Sequence, residues 1–171
     1  MDKRKQLLET KLEANSQRLA RKDYLNKLPE NLKEYLSEKE YVQTPEKEEI
    51  TIKGVFWIRP GGLGKILYKP KNYHFQEFSF EKDILLAAKS ISNKYNEEQA
   101  FFYPFMKNPI YCVEFGWVKS NLNILFGYSN CELGVVTTNL NVGIVLSHYC
   151  GELPNEPNPD EMVYELATWG F

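Results

Sequence analysis

Two side chains near the C-terminus have the types and the spacing that nucleophilic catalysis requires. His148 and Cys150 lie two residues apart, and residues two apart on a β-strand point to the same face of the sheet. An imidazole beside a thiol can take its proton and activate it as a nucleophile. Neighbours on one strand give a poor attack geometry, however, and no third residue marks itself as the group that orients the imidazole. We therefore interpret Cys150 as a buried thiol, with a small enzyme or ligand pocket at His148 and Cys150 as the alternative.

A second candidate is a basic, glycine-rich stretch in the middle of the chain. Between residues 50 and 76 all charged side chains are positive, and Arg59–Lys65 contains three glycines followed by a lysine. A phosphate-binding loop needs a glycine five residues before its Gly-Lys pair and a serine or threonine after the lysine. Arg59 and Ile66 occupy those positions. The stretch therefore predicts a glycine-rich hairpin turn.

The same stretch also contains the ingredients of a nucleic-acid site. Cations alternate with aromatic rings, which can contact phosphates and stack on bases. The net charge of the whole chain is only −2, which argues against such binding. Nucleic-acid binding through Lys53–Lys71 stays an alternative, and its anion-binding candidates are Arg59, Lys65, Lys69, Lys71 and His74.

The C-terminal third of the chain is acidic and rich in aromatic residues. From residue 120 onward all charged side chains are negative. Tyrosine and tryptophan provide much of the energy of protein interfaces, and carboxylates steer a basic partner towards them. The residues predicted to contact that partner are Tyr149, Glu152, Glu156, Asp160, Glu161, Tyr164 and Trp169. The sequence thus predicts a non-catalytic protein-binding protein of the inhibitor or immunity type, although an acidic loop also serves solubility alone.

Composition limits the remaining classes. No run approaches the roughly 18 apolar residues of a membrane span, and the basic N-terminus lacks the apolar core of a signal peptide. We therefore expect a cytoplasmic protein without membrane contact. The three cysteines, Cys112, Cys131 and Cys150, include no CxxC pair, so they are interpreted as reduced core thiols. Neither a metal nor a cofactor is predicted.

These candidate residues must be positioned by an α+β fold with a helical arm at residues 1–42, a linker at 43–49 and a body at 50–171. In the arm, helix-forming residues run over 3–21, and Pro29 fits the first turn of a second helix that ends near Tyr41. Residues 1–22 carry a charge of +4 and residues 23–49 a charge of −4, so two adjacent helices can pair. The heptad positions after Leu8 and Leu12 become polar, which argues against a long coiled coil. The arm remains a candidate dimer contact.

In the body, the sequence predicts an antiparallel sheet with one packed helix. Strands are expected at 50–58 and 65–69, and a helix over 80–95 is expected to be capped by Ser79. Two segments 18 residues apart, 115–124 and 133–142, share Gly, Val, Asn, Leu and Asn at matching positions. This internal repeat predicts two tandem β-hairpins that turn at Asn121 and Asn139. An acidic, proline-rich loop at 151–160 precedes a hydrophobic C-terminus that is expected to pack as a strand or short helix.

Overall fold

A computed structural model describes residues 3–42, 72–104, 109–129, 132–150 and 162–171, and only the backbone of Tyr149 and Cys150. These residues form an α+β fold in which an N-terminal helix precedes an antiparallel sheet. The linker at 43–49, the strands predicted at 50–58 and 65–69, and the loop at 151–160 lie outside the described residues.

The described part of the chain contains five α-helices and six strands. Its helices are α1 (Lys3–Leu25), α2 (Glu30–Ser37), α3 (Glu81–Ser90), α4 (Phe115–Ser120) and α5 (Leu122–Gly127), with a 3-10 turn at Asn93–Tyr95. Its strands are β1 (His74–Phe78), β2 (Gln99–Tyr103), β3 (Tyr111–Glu114), β4 (Glu132–Thr137), β5 (Gly143–Cys150) and β6 (Met162–Trp169).

In the described part of the chain the six strands form a sheet in the order β1-β6-β5-β4-β2-β3, with all neighbours antiparallel. The C-terminal strand β6 therefore lies between the first strand and β5. This position confirms that the hydrophobic C-terminus packs on the body, and it makes the end of the chain a structural part of the sheet. Side chains alternate between the two faces of each strand.

The larger core lies on the face that the helices cover. Strand residues of this face, such as Phe102, Leu133 and Leu146, pack with Ile84 of α3 and Leu125 of α5. A smaller cluster on the other face contains Val136, Val145, Ala167 and Trp169. Both faces of β4, β5 and β6 are thus apolar over much of their length, as expected for central strands.

The C-terminal half of the predicted arm belongs to the same core. Tyr24, Leu28, Leu32 and Leu36 recur at four-residue spacing, and all four are buried against the sheet face. Beyond α2, the backbone N–H of Val42 donates to the carbonyl of Ile110 at 2.7 Å, next to an antiparallel bridge between Tyr41 and Tyr111. The arm is therefore joined to its own body, while its first turns project from it.

Arg21 holds the joint between the two arm helices. Its Nη2 donates to the carbonyls of Leu36, Ser37 and Lys39 at 3.3, 2.8 and 3.2 Å. These carbonyls lie at and just beyond the C-terminal end of α2, which carries partial negative charge. The guanidinium also lies 4.8 Å from the ring centre of Tyr41. We expected oppositely charged side chains to pair the two helices. At this joint the cation Arg21 binds backbone carbonyls instead.

The internal repeat does not form two hairpins. The second copy does, because β4 and β5 enclose a turn in which Asn139 Oδ1 accepts from the Thr137 hydroxyl and the Asn141 N–H. Leu140, not Asn139, takes the left-handed backbone there, at φ 64°. The first copy forms two short helices, α4 and α5, and Asn121 is the turn residue between them. The tandem-hairpin prediction is therefore wrong for residues 115–124.

The spacing of large apolar residues explains why the first copy is helical. Phe115, Val118, Leu122 and Phe126 follow an i, i+3, i+7, i+11 pattern, and each side chain is buried. That pattern places them on one side of a helix, whereas residues 132–137 fit a strand. A Cβ on Gly116 would lie only 2.7 Å from the Cβ of Asn96, so this glycine permits a close helix contact. Tertiary packing decides between helix and strand for identical residues.

The helix predicted over 80–95 is shorter than expected. It spans Glu81–Ser90, its N-cap is Phe80, and no side chain caps it, so the Ser79 cap is wrong. After it, Ser92 caps the 3-10 turn by accepting from the Lys94 N–H. The buried Lys119 of α4 holds this turn, because its Nζ donates to the carbonyls of Ile91 and Ser92 and to Asn93 Oδ1.

Replacing Lys119 by methionine tests the role of this ammonium group. The change keeps most of the side-chain length but removes the charged donor from two carbonyls and one side-chain oxygen, so we expect a loss of about 1–3 kcal/mol in unfolding free energy. The control is Lys89→Met at an exposed position of α3, where we expect a change within about 0.5 kcal/mol. Urea unfolding measures the unfolding free energy of both variants. Equal values would contradict the stabilising role of the Lys119 hydrogen bonds.

Gly143 faces Trp169 across the β5–β6 ladder, and its substitution tests this pairing. A Cβ on Gly143 would overlap the indole ring, so Gly143→Ala should cost about 1–3 kcal/mol of unfolding free energy through overpacking. The matched control is Gly127→Ala in α5, where no atom lies within 4 Å of the added Cβ. Thermal unfolding measures both variants. We expect a lower melting temperature for Gly143→Ala and an unchanged one for Gly127→Ala.

Candidate functional site

The candidate site lies where β5 ends and β6 begins, on the face that carries the helices. The register places His148 of β5 directly opposite Tyr164 of β6, with ring centres 5.8 Å apart. Phe126 of α5 meets the imidazole edge to face, at 5.5 Å and 84°. We call Phe80, Glu81, Phe126, His148 and Tyr164 the His148 patch.

Burial and one carboxylate control the charge of this patch. Burial lowers the pKa of His148 below its usual value, and the charge of Glu81 partly opposes that shift. Burial also raises the pKa of the Tyr164 hydroxyl, with a further contribution from Glu81. Glu81 stands in the first turn of α3, where its negative charge is stabilised by the helix dipole. The patch therefore combines a neutral imidazole, a neutral phenol and a carboxylate.

The rim of the patch is apolar and exposed. Phe80 is the N-cap of α3 and is 61% exposed. The ammonium group of Lys82 lies 5.4 Å from the centre of its ring. The exposed ring of Phe80 directly precedes Glu81 in the chain.

The surroundings of the His148 ring bear on the predicted pair of His148 and Cys150. Its Nδ1 is buried, and among the described residues no group hydrogen-bonds to it. No hydroxyl or carboxylate of the described side chains thus orients the ring as the base of a catalytic pair requires. The predicted nucleophile, Cys150, pairs with Met162 through the backbone, and its side chain lies outside the described atoms.

The opposite face of the same two strands carries a different polar pair. Glu165 is only 1% exposed, and its Oε2 accepts from the Ser147 hydroxyl at 3.0 Å. Its charge also contributes to the raised pKa of Tyr73, after burial. Glu165 lies opposite Glu77 of β1 in the register. This buried carboxylate was not among the residues that the sequence singled out.

The family assignment follows from comparison with known proteins. Residues 1–168 match the model of a family described as YokC prophage protein. The chain belongs to the YokC family. Over 177 residues it is 28% identical to the SPbeta prophage-derived uncharacterized protein YokC of Bacillus subtilis (strain 168), and this alignment covers 100% of both chains. No solved structure matches it.

The structure of this YokC-family chain separates the predicted contact residues. Tyr164 lies in the His148 patch, half-buried. Trp169 is 3% exposed, and its Nε1 donates to the carbonyl of Leu140 at 3.2 Å, so its ring is a core group that locks the β4–β5 turn. The side chain of Tyr149 and the residues Glu152, Glu156, Asp160 and Glu161 lie outside the described atoms.

The other candidates are placed as follows. His74 is exposed on β1, opposite Thr168 of β6 and four residues along that strand from Tyr164. Arg59, Lys65, Lys69 and Lys71 lie outside the described residues. Cys112 is half-buried on β3. Within the described ranges, no three histidine, cysteine or acidic side chains converge as metal ligands would, and no helix is long and apolar enough to cross a membrane.

Sequence reasoning missed three members of the His148 patch, namely Phe80, Glu81 and Phe126. Glu81 and Phe126 lie far from His148 in sequence, and only the packing of α3 and α5 on the sheet brings them near it. The acidic first turn of a helix was a visible signal for Glu81, but it did not indicate which strand the helix would cover. Phe126 offered no signal beyond its apolar side chain.

Replacing His148 by phenylalanine keeps a ring and removes the titratable group. Because burial lowers the pKa of His148 in the folded chain, the unfolded chain binds more protons as the pH falls below about 6.5. The stabilising effect of a neutral His148 is complete above that pH and is lost as the pH falls. We expect the unfolding free energy to decrease more steeply in the parent than in His148→Phe between about pH 7 and pH 5. Urea titrations at each pH measure the slopes, and equal slopes would contradict the burial of the imidazole.

Proposed function

We propose that this chain is a non-catalytic protein-binding protein that recognises a basic partner through the His148 patch. The observation that carries the proposal is the exposed ring of Phe80, which directly precedes Glu81, the carboxylate whose charge acts on His148 and Tyr164. Aromatic side chains at such a position can enter a pocket of a partner, and a neighbouring carboxylate can pair with its cations.

Charge and connectivity support a basic partner. Next to the exposed ring in the chain, Glu81 and Asp83 outnumber the cation Lys82. The acidic segment 151–161 is joined covalently to Cys150 and Met162, the two strand ends that border the patch. A patch that is negative near its centre gains association rate and specificity towards a positive surface.

Within this class we propose an inhibitor or immunity-type role in the cytoplasm. A protein of this kind acts by covering a functional surface of its target, so it needs a shaped, charged face and no catalytic group. The name of the Bacillus subtilis relative assigns that protein to a prophage. Phage proteins and proteins of the bacterial host are therefore the first classes in which to search for the basic target.

Affinity capture with the tagged full-length chain tests the proposal. From cells that carry the gene, we expect a basic protein to be retained at low salt and released at high salt, because exposed charges are screened. Once that partner is purified, calorimetry measures its dissociation constant with the wild-type chain and with each variant. Retention of nucleic acid that nuclease removes would instead favour the basic stretch Lys53–Lys71.

Phe80→Ala should raise the dissociation constant for the purified partner by about tenfold or more, since an anchor ring is lost. Glu81→Gln should raise it by a smaller factor and flatten its salt dependence. The control is Leu86→Ala, because Leu86 is an equally large apolar residue of α3 and is 69% exposed. Binding that survives Phe80→Ala but is lost in Leu86→Ala would exclude the His148 patch as the contact.

One further measurement separates binding from catalysis. A thiol activated by His148 would react with iodoacetamide much faster than the other two cysteines, because the thiolate is the nucleophile. We expect Cys150 to react at the same rate in His148→Phe as in the parent chain. A large drop in its rate in that variant would favour the enzyme alternative.

A further inference from the structure

Helix α1 displays a row of leucines to solvent. Leu8, Leu12 and Leu19 are 59%, 61% and 55% exposed. Together with Asn15 they are spaced by four, three and four residues, which is the spacing of the a and d positions of a coiled coil. We call these four residues the α1 stripe.

The α1 stripe faces away from the body of its own chain. The side of α1 that packs inward is marked by Tyr24, which is 1% exposed and lies in the core. At about 100° of rotation per residue, the three leucines lie roughly 120–160° around the helix axis from Tyr24. A partner helix can therefore lie along the stripe without touching the sheet or α2.

We propose that the α1 stripe pairs in parallel with the α1 stripe of a second copy of this chain, forming a short two-stranded coiled coil. The apolar stripe is only one residue wide on each turn, which is too narrow to lie in a lipid interface. In a two-fold symmetric pair the same surface of each chain forms the contact, so the leucines of one stripe cover those of the other. The proposal is independent of the partner of the His148 patch.

Side-chain pairing favours the parallel orientation. In a parallel pair Asn15, at a d position, meets Asn15 of the other copy, so each amide faces a group that can donate to it and accept from it. Arg18 at a g position then faces Asp23 at the following e position of the other helix. An antiparallel pair with matched leucines would place Asn15 against Leu12 and bring Lys11 near Arg18. Amide pairing and charge complementarity therefore select the same arrangement.

The geometry of the bodies is compatible with this pairing. Because each body lies on the side of α1 opposite to the stripe, the two bodies project outward on either side of the helix pair. The stripe from residue 8 to residue 19 is only about 17 Å long at 1.5 Å per residue. Its interface is smaller than that of typical stable complexes, so we expect a dissociation constant of about 10–100 µM.

Sedimentation equilibrium of the full chain tests the pairing. We expect a monomer–dimer equilibrium in which Leu12→Glu raises the dissociation constant at least about tenfold, because each dimer would bury two carboxylates. The matched control is Leu7→Glu, since Leu7 is 58% exposed on the same helix but lies outside the stripe. The exposure of both leucines leaves folding intact, which circular dichroism checks. A monomer at all concentrations, or equal effects of both variants, overturns the proposal.

A thiol introduced at position 15 reports the orientation. In a parallel pair the two Asn15→Cys side chains meet, so mild oxidation should give a dimer on a non-reducing gel. The wild-type chain, with its three native cysteines, is the control and should remain monomeric on that gel. Adding Leu12→Glu to Asn15→Cys should abolish the cross-link. If the protein dimerises through the stripe but the Asn15→Cys variant does not cross-link, the parallel arrangement is overturned.

Discussion

The pairing of β5 with β6 is the constraint on which the rest of the structure depends. Eight residue pairs join the two strands, from Gly143 with Trp169 to Cys150 with Met162. A slip of one residue would exchange the faces of every side chain on one strand. Two contacts of Trp169 fix the register at one end. Its ring lies against Gly143, which has no Cβ, and its indole N–H donates to the β4–β5 turn. At the other end the same register creates the pair of His148 and Tyr164.

This ladder explains why the two faces of β5 differ in chemistry. Ser147 and His148 are adjacent in sequence but lie on opposite faces. Ser147 donates to the buried carboxylate of Glu165, and His148 lies between the rings of Phe126 and Tyr164. Residue spacing alone predicted that His148 and Cys150 share a face. It could not predict that α3 and α5 would cover that face, nor that Glu81 would approach the imidazole. The chemistry of the patch is a product of tertiary packing.

The repeat shows where sequence reasoning succeeds and where it fails. The β4–β5 hairpin was predictable, because its apolar residues fit a strand and its Asn and Thr residues fit a turn. The first copy shares five residues with it, but Phe115, Val118 and Leu122 have helical spacing, and the fold follows that spacing. The arm was predictable as helical from its helix-forming residue types. The apolar C-terminus was predicted to pack as a strand or a short helix, and it forms the strand β6. Lys119 was not, because nothing near it in sequence indicates the carbonyls that it binds.

The two proposed surfaces lie on different parts of the fold and have different chemistry. The His148 patch is built by the C-terminal strands and combines rings with carboxylates, which suits a basic target. The α1 stripe belongs to the part of the arm that projects beyond the core, and it is apolar with charged flanks. A dimer through the stripe would present two patches at once, which raises the apparent affinity for a target that is itself multivalent.

Hydrogen–deuterium exchange of the intact chain tests the central position of β6 most directly. If β6 lies between β1 and β5, its backbone amides at 163–168 should exchange as slowly as those of β4 and β5, because they open only with global unfolding. The projecting first turns of α1 should exchange much faster at concentrations below those at which the chain dimerises. Rapid exchange throughout β6, with β4 and β5 still protected, would contradict the account.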